Sequence, residues 1–137
     1  MVKTIDMQDM RYLNLFEQKT RVRTRFCFKY NENIVFCVPK PMMDRAIGPQ
    51  GRNLREISRI IGKRVRVIPI PRGPGDAENF IKTIINPLTI RDFKTDNNEI
   101  TISAGKNKAA LIGRNKRRFL EMQKIINDFF GMDFRIA

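Results

Sequence analysis

Apolar residues along this chain switch between two spacings, and the switches come in the same order twice. In "MQDMRYLNLFEQK" (7–19), Met10, Leu13 and Phe16 recur at helical spacing, whereas "RVRTRFCFKY" (21–30) and "IVFCV" (34–38) alternate as strands do around the turn "NEN". A short helical run, about Met42–Ile47, leads into Gly48-Pro49-Gln50-Gly51. Residues 52–61 are helical again, Gly62 is their C-terminal stop, and "RVRVIPI" closes the unit as a strand. The stretch "PRGPG" (71–75) continues neither helix nor central strand and reads as a linker. Beyond it, "DAENFIKTII" predicts a helix capped by Asp76 and stopped at Pro87. "LTIRDFK" and "EITISA" predict a hairpin around "TDNN", "KNKAALI" is helical, and "GRNK" precedes a long helix through Phe130 and a last strand, "DFRI".

Self-comparison strengthens this pattern. At an offset of 65, Ile47-Gly48 falls on Ile112-Gly113, Arg52 on Arg117, Glu56 on Glu121, Arg59 on Lys124 and Ile60-Ile61 on Ile125-Ile126. With one residue of slippage "NIVFCV" lies over "EITISA". The expectation is an α+β chain in which one unit, α-β-β-α-α-β, is used twice: residues 1–70, a linker at 71–75, and residues 76–137. Units of this size bury little surface alone, so the two are expected to pack as one rigid body.

In the first hairpin a three-residue turn at 31–33 pairs Tyr30 with Ile34, Phe28 with Phe36 and Phe26 with Val38. That register gathers six apolar residues on one face, and makes the aromatics core residues and not a base-stacking platform. It leaves Arg21, Arg23, Arg25 and Lys29 on a solvated face, with a second RNA or protein contact as the alternative use. It also sets Cys27 opposite Cys37. Reduced thiols are the default, and a disulfide is the alternative.

Charge narrows the partner. There are 27 Lys+Arg against 14 Asp+Glu, a net +13, which points to a polyanion, nucleic acid before an anionic membrane. Residues 1–70 hold 15 basic and 6 acidic side chains and residues 71–137 hold 12 and 8, so the first unit carries the stronger footprint. No apolar run spans a bilayer and no signal-peptide core opens the chain, so the expected location is the cytoplasm. With no His and two Cys, no ordinary zinc site and no usual acid–base constellation can be assembled. The expectation is a non-enzymatic protein without metal, cofactor or small-molecule substrate.

The predicted helix after Gly51 turns Arg52, Arg55 and Arg59 outward within a stripe of roughly 60°, opposite Leu54, Ile57, Ile60 and Ile61. Glycines at its start let a ligand backbone approach N–H groups where the helix dipole favours an anion. A phosphate meets these demands. Hinge, helix order, basic stripe and repetition together match the KH architecture, whose G-x-x-G loop clamps nucleic-acid backbone, here in its type II order. Through "MRYLNLFEQKT", "AIGPQGRNLREISRIIGKRVRVI", the "IINP" junction and "LIGRNKRRF", the chain resembles the archaeal NusA-like transcription factor family. The resemblance implies two packed type II KH domains that bind single-stranded RNA during transcription elongation and termination, with RNA polymerase as a further partner. It assigns RNA contact to Gly48, Pro49, Gln50, Gly51, Arg52, Arg55 and Arg59, and to Gly113, Arg114, Asn115, Lys116 and Arg117.

The sequence departs from that pattern in places. It shows neither the polymerase-contacting N-terminal domain nor the S1 domain of the bacterial relatives, which leaves the polymerase contact open. Pro49 removes a donor and Gln50 is uncharged, while Lys116 stands where a second glycine belongs. Glu121 and Asp128 share the face of Arg117 and Lys124, so the first unit is expected to bind more strongly and the second to assist. Two rival readings are a ribosome-associated or ribosome-assembly KH protein, and a protein adaptor docking through the second unit.

Overall fold

A computed structural model of the chain describes residues 6–137. Its contacts fall into two compact units that divide between Ile70 and Pro71. In the first, helix α1 (Met7–Thr20) begins where the Asp6 carboxylate accepts the Asp9 N–H at 2.7 Å, filling one of the unpaired donors of a helix start. Strands β1 (Phe26–Tyr30) and β2 (Asn33–Val38) form an antiparallel hairpin, and β3 (Arg64–Pro69) returns parallel to β2. Helices α2 (Met43–Ile47) and α3 (Arg52–Ile61) make that crossover.

The core of this unit explains how α3 is presented. Phe16 of α1, Ala46 of α2 and Ile57 of α3 pack on Cys27, Ile34, Phe36, Val38, Val65 and Val67 of the sheet. The rings of Phe16 and Phe36 stack at 4.3 Å. Ile57 is fully buried, so α3 is anchored by one side and must face outward with the other.

The second unit repeats the order with α4 (Ala77–Ile85), β4 (Asp92–Asp96), β5 (Glu99–Ser103), α5 (Lys108–Ile112), α6 (Arg117–Phe130) and β6 (Asp133–Ile136). Its sheet order, β4-β5-β6, and its pairing, antiparallel then parallel, match the first. Ile100 and Ile102 are buried between half-buried Glu99, Thr101 and Ser103, and the Phe80 ring meets Phe129 at 4.9 Å. The described residues thus form an α+β arrangement of six α-helices and two three-stranded sheets.

Several expectations need correction. The first hairpin turns on two residues, Asn31 and Glu32, both with positive φ, and pairs Phe26 with Cys37, Cys27 with Phe36, Phe28 with Val35, Lys29 with Ile34 and Tyr30 with Asn33. A two-residue loop of this kind matches strand twist, and that preference outweighed the apolar matching on which the longer turn rested. The shift of one residue sends Cys27 to the helix-covered face, while Phe26 and Phe28 are only half-buried. Cys27 and Cys37 are then not directly opposite; both are buried, and they are not joined in a disulfide. In the second unit the same two-residue device, Asn97-Asn98, replaces the expected "TDNN" turn, and β4 starts only at Asp92. Asp76 does stand at the N-cap of α4, but its carboxylate makes no capping bond to that helix and accepts the Arg72 N–H at 2.8 Å instead. Met10 and Ile60, expected on apolar faces, are 53% and 47% exposed.

Candidate nucleic-acid interface

Each unit joins its two short-connected helices by a four-residue loop, and the two loops follow one backbone path. Gly48 lies at φ 78, ψ 170 and Gly113 at φ 78, ψ 172. Gln50 and Asn115 both lie at φ 56, ψ 28. Gly51 is left-handed at φ 74, ψ 18, and Lys116 adopts the same region at φ 60, ψ 21. A left-handed backbone costs a residue with a side chain roughly 1–2 kcal/mol, so the surrounding structure imposes this path on Gln50, Asn115 and Lys116.

The first glycine of each loop is required by its own helix. A Cβ on Gly48 would lie 2.8 Å from the Asn53 side chain and 3.2 Å from the Asn53 amide nitrogen. A Cβ on Gly113 would lie 2.9 Å from the Arg118 side chain and 3.0 Å from its amide nitrogen. Asn53 also ties the helices together, donating from Nδ2 to the Arg45 carbonyl at 3.2 Å. The close visitor at this position is therefore the next helix, and no external ligand is needed to explain the missing side chain. Gly51 is different: a Cβ there would meet only the Arg55 guanidinium, at 3.5 Å.

The backbone donors are also partly committed. Gly48 N–H donates to the Asp44 carbonyl at 3.0 Å, Gly51 N–H to Gly48 at 3.1 Å, and Arg52 N–H to Pro49. In the second loop Gly113 N–H donates to Ala109 at 3.0 Å, Lys116 N–H to Gly113 at 3.2 Å, and Arg117 N–H to Arg114. Outside these bonds the first loop keeps the amide of Gln50, since Pro49 has none, while the second keeps those of Arg114 and Asn115. The expected presentation of glycine amides to a phosphate is corrected accordingly; what is offered is the loop's middle, with side-chain cations around it.

Those cations lie where the helical wheel puts them. Arg52, Arg55 and Arg59 are all exposed on α3, as are Pro49 and Gln50 at the loop. Arg55 additionally donates from Nη1 to the Gln50 carbonyl. Glu56, on the same helix, is held by Lys19 of α1, Nζ to Oε1 at 3.0 Å. That hydrogen bond and charge pull its carboxyl below the ordinary 4.5, with Arg59 and Arg52 adding less. In the second unit Arg114, Asn115, Lys116, Arg117 and Lys124 are exposed, but Leu120 occupies the place of Arg55 and is 53% exposed. Asn53, Lys19 and Arg118 escaped the sequence reading because their roles depend on what lies beside them in space. Leu120 was legible: the offset of 65 carries Arg55 onto it.

Among the described residues no group of three or more His, Cys, Asp or Glu is arranged to hold a metal ion, and no helix is long and apolar enough to cross a membrane. No protein-family model matches the chain. It is 24% identical over 135 residues to the probable transcription termination protein NusA of Halococcus morrhuae, an alignment covering 91% of this chain and 95% of that one. It is 28% identical over 88 residues to the protein of the same name from Methanococcus vannielii, covering 64% of this chain and 49% of the relative. Among solved structures, the crystal structure of APE1850 superposes with a TM-score of 0.66 at 23% identity, over 97% of this chain and all of that one. The chain is thus similar in sequence to archaeal proteins that carry the NusA name, and shares its fold with a solved structure.

Proposed function

We propose that this chain is a non-enzymatic RNA-binding protein of the NusA-like kind, in which each unit is a type II KH domain and single-stranded RNA is held during transcription elongation or termination. The observation that carries the reading is the pairing of one preset loop path, built twice, with exposed Arg52, Arg55 and Arg59 directly after the first loop. The net charge of +13 supplies the long-range attraction. The names of the two archaeal relatives, probable transcription termination proteins, support a place in transcription, and RNA polymerase is the protein partner proposed with it. In this reading the phosphate backbone runs along the first loop and the Arg52/Arg59 side of α3, and Arg114–Arg117 of the second unit make a separate, weaker contact of their own.

The direct test is titration of a labelled single-stranded RNA, and of a duplex of equal length, by fluorescence anisotropy. Preference for the single strand is expected, because the KH mode clamps the backbone of unpaired nucleotides; equal binding to the duplex would refute the mode. Co-purification with polymerase supports the transcription role. Sedimentation with ribosomal subunits would assign the protein to the ribosome, and partner retention after RNase treatment would make it an adaptor.

A further inference from the structure

We propose that Arg55 is a positioning residue: it holds the first loop in its left-handed path before RNA arrives, and the second loop lacks such a brace because Leu120 stands in its place. Two observations converge on Arg55. Its Nη1 donates to the carbonyl of Gln50, the residue that sits at φ 56 despite carrying a side chain. The same nitrogen lies 3.5 Å from where a Cβ on Gly51 would be, so the guanidinium folds back over the loop. A planar head on a long stem suits this: it reaches back past the start of α3 to the loop and donates in a fixed direction.

The second loop has the same backbone without this support. Leu120 carries no donor and is 53% exposed, and Lys116 takes the left-handed position that Gly51 fills at no steric cost. The first loop is therefore the preorganised one, and a preorganised loop loses less freedom when it binds. The outward stripe also divides by role: Arg52 and Arg59 face the ligand, while the head of Arg55 is turned to the loop. Only this consequence for RNA rests on the function proposed above; the brace is a property of the free protein.

The test uses the full chain without ligand. Amide-exchange protection factors are measured by NMR at Gly51, whose N–H bonds Gly48, and at Lys116, whose N–H bonds Gly113. Arg55→Leu and Arg55→Lys should each lower protection at Gly51 by about tenfold, the scale of one hydrogen bond, while circular dichroism and melting show the fold intact. Leu120→Arg should raise protection at Lys116 by a similar factor. If Arg55→Leu keeps full protection at Gly51, or Leu120→Arg leaves Lys116 unchanged, the brace is overturned. Weaker RNA binding by Arg55→Leu with unchanged Gly51 protection would also overturn it, by making Arg55 a direct phosphate contact. Failure of the wild-type chain to bind RNA would remove the proposed function and leave the exchange result standing.

Discussion

The two loops, Gly48-Pro49-Gln50-Gly51 and Gly113-Arg114-Asn115-Lys116, share only their first residue yet follow one path, with φ and ψ agreeing within 14° at each of the three positions compared. The shared residue is the one whose Cβ would strike the following helix, at Asn53 or Arg118. The fourth residue is glycine in one loop and lysine in the other: a Cβ on Gly51 would make no more than an ordinary contact with the Arg55 guanidinium, and Lys116 is exposed. In a G-x-x-G element of this shape, the first glycine is a matter of internal packing and the second a matter of access. The difference also separates two ways of attracting a polyanion. The first unit couples an uncharged, glycine-ended loop to an arginine-lined helix, whereas the second places Arg114 and Lys116 on the loop itself and interrupts the helix with Leu120.

The largest difference between the two roles is expected at the glycines. Gly48→Ala should cost about 3 kcal/mol of stability, because φ 78, ψ 170 is glycine territory and the new Cβ meets Asn53. Gly51→Ala should cost about 1 kcal/mol, the ordinary left-handed penalty. Chemical denaturation measures both, and equal losses would contradict the division of roles. For the same reason Gly51→Asp is the cleaner probe of RNA binding, and should weaken it with a smaller loss of melting temperature than Gly48→Asp, which also meets Asn53.

A smaller effect is expected at the cations. Arg52→Ala with Arg59→Ala should weaken RNA binding by about 1 kcal/mol more than Arg117→Ala with Lys124→Ala, on the scale of charged hydrogen bonds. Both pairs occupy equivalent places in the repeat, so an equal or reversed loss would make the second unit the main site. The salt dependence should follow, with the slope of log affinity against log salt shallower by roughly 0.7 for each phosphate contact removed.

The smallest effect concerns Lys19 and Glu56, which join α1 to α3 in the first unit. The Glu56 carboxyl titrates below 4.5 in the folded protein, so the pair stabilises above that pH and the stabilisation is lost as pH falls through the folded value. Lys19→Met should therefore lower the melting temperature slightly near neutrality, and the gap to wild type should close in acid. A gap that persists at low pH would mean that Lys19 acts through packing and not through charge.

The sequence by itself determined the order of elements, the outward placement of Arg52, Arg55 and Arg59, and the position of both loops. Period, capping glycines and charge are local properties, and the repeat offset tests them against each other. Tertiary structure decided the rest. The hairpin register was set by a two-residue turn at Asn31-Glu32, and the one-residue shift this caused moved Cys27 under the helices and out of line with Cys37. Ile60 has a helical neighbour pattern indistinguishable from that of Ile57, but only one of them meets the sheet. The role of Gly48 was likewise invisible in the chain, because a glycine that makes room for Asn53 and one that makes room for a phosphate are spelled alike. Sequence fixes which groups are available; which groups come within 3 Å of one another depends on how the helices cross the sheet, and that is a property of the packed whole.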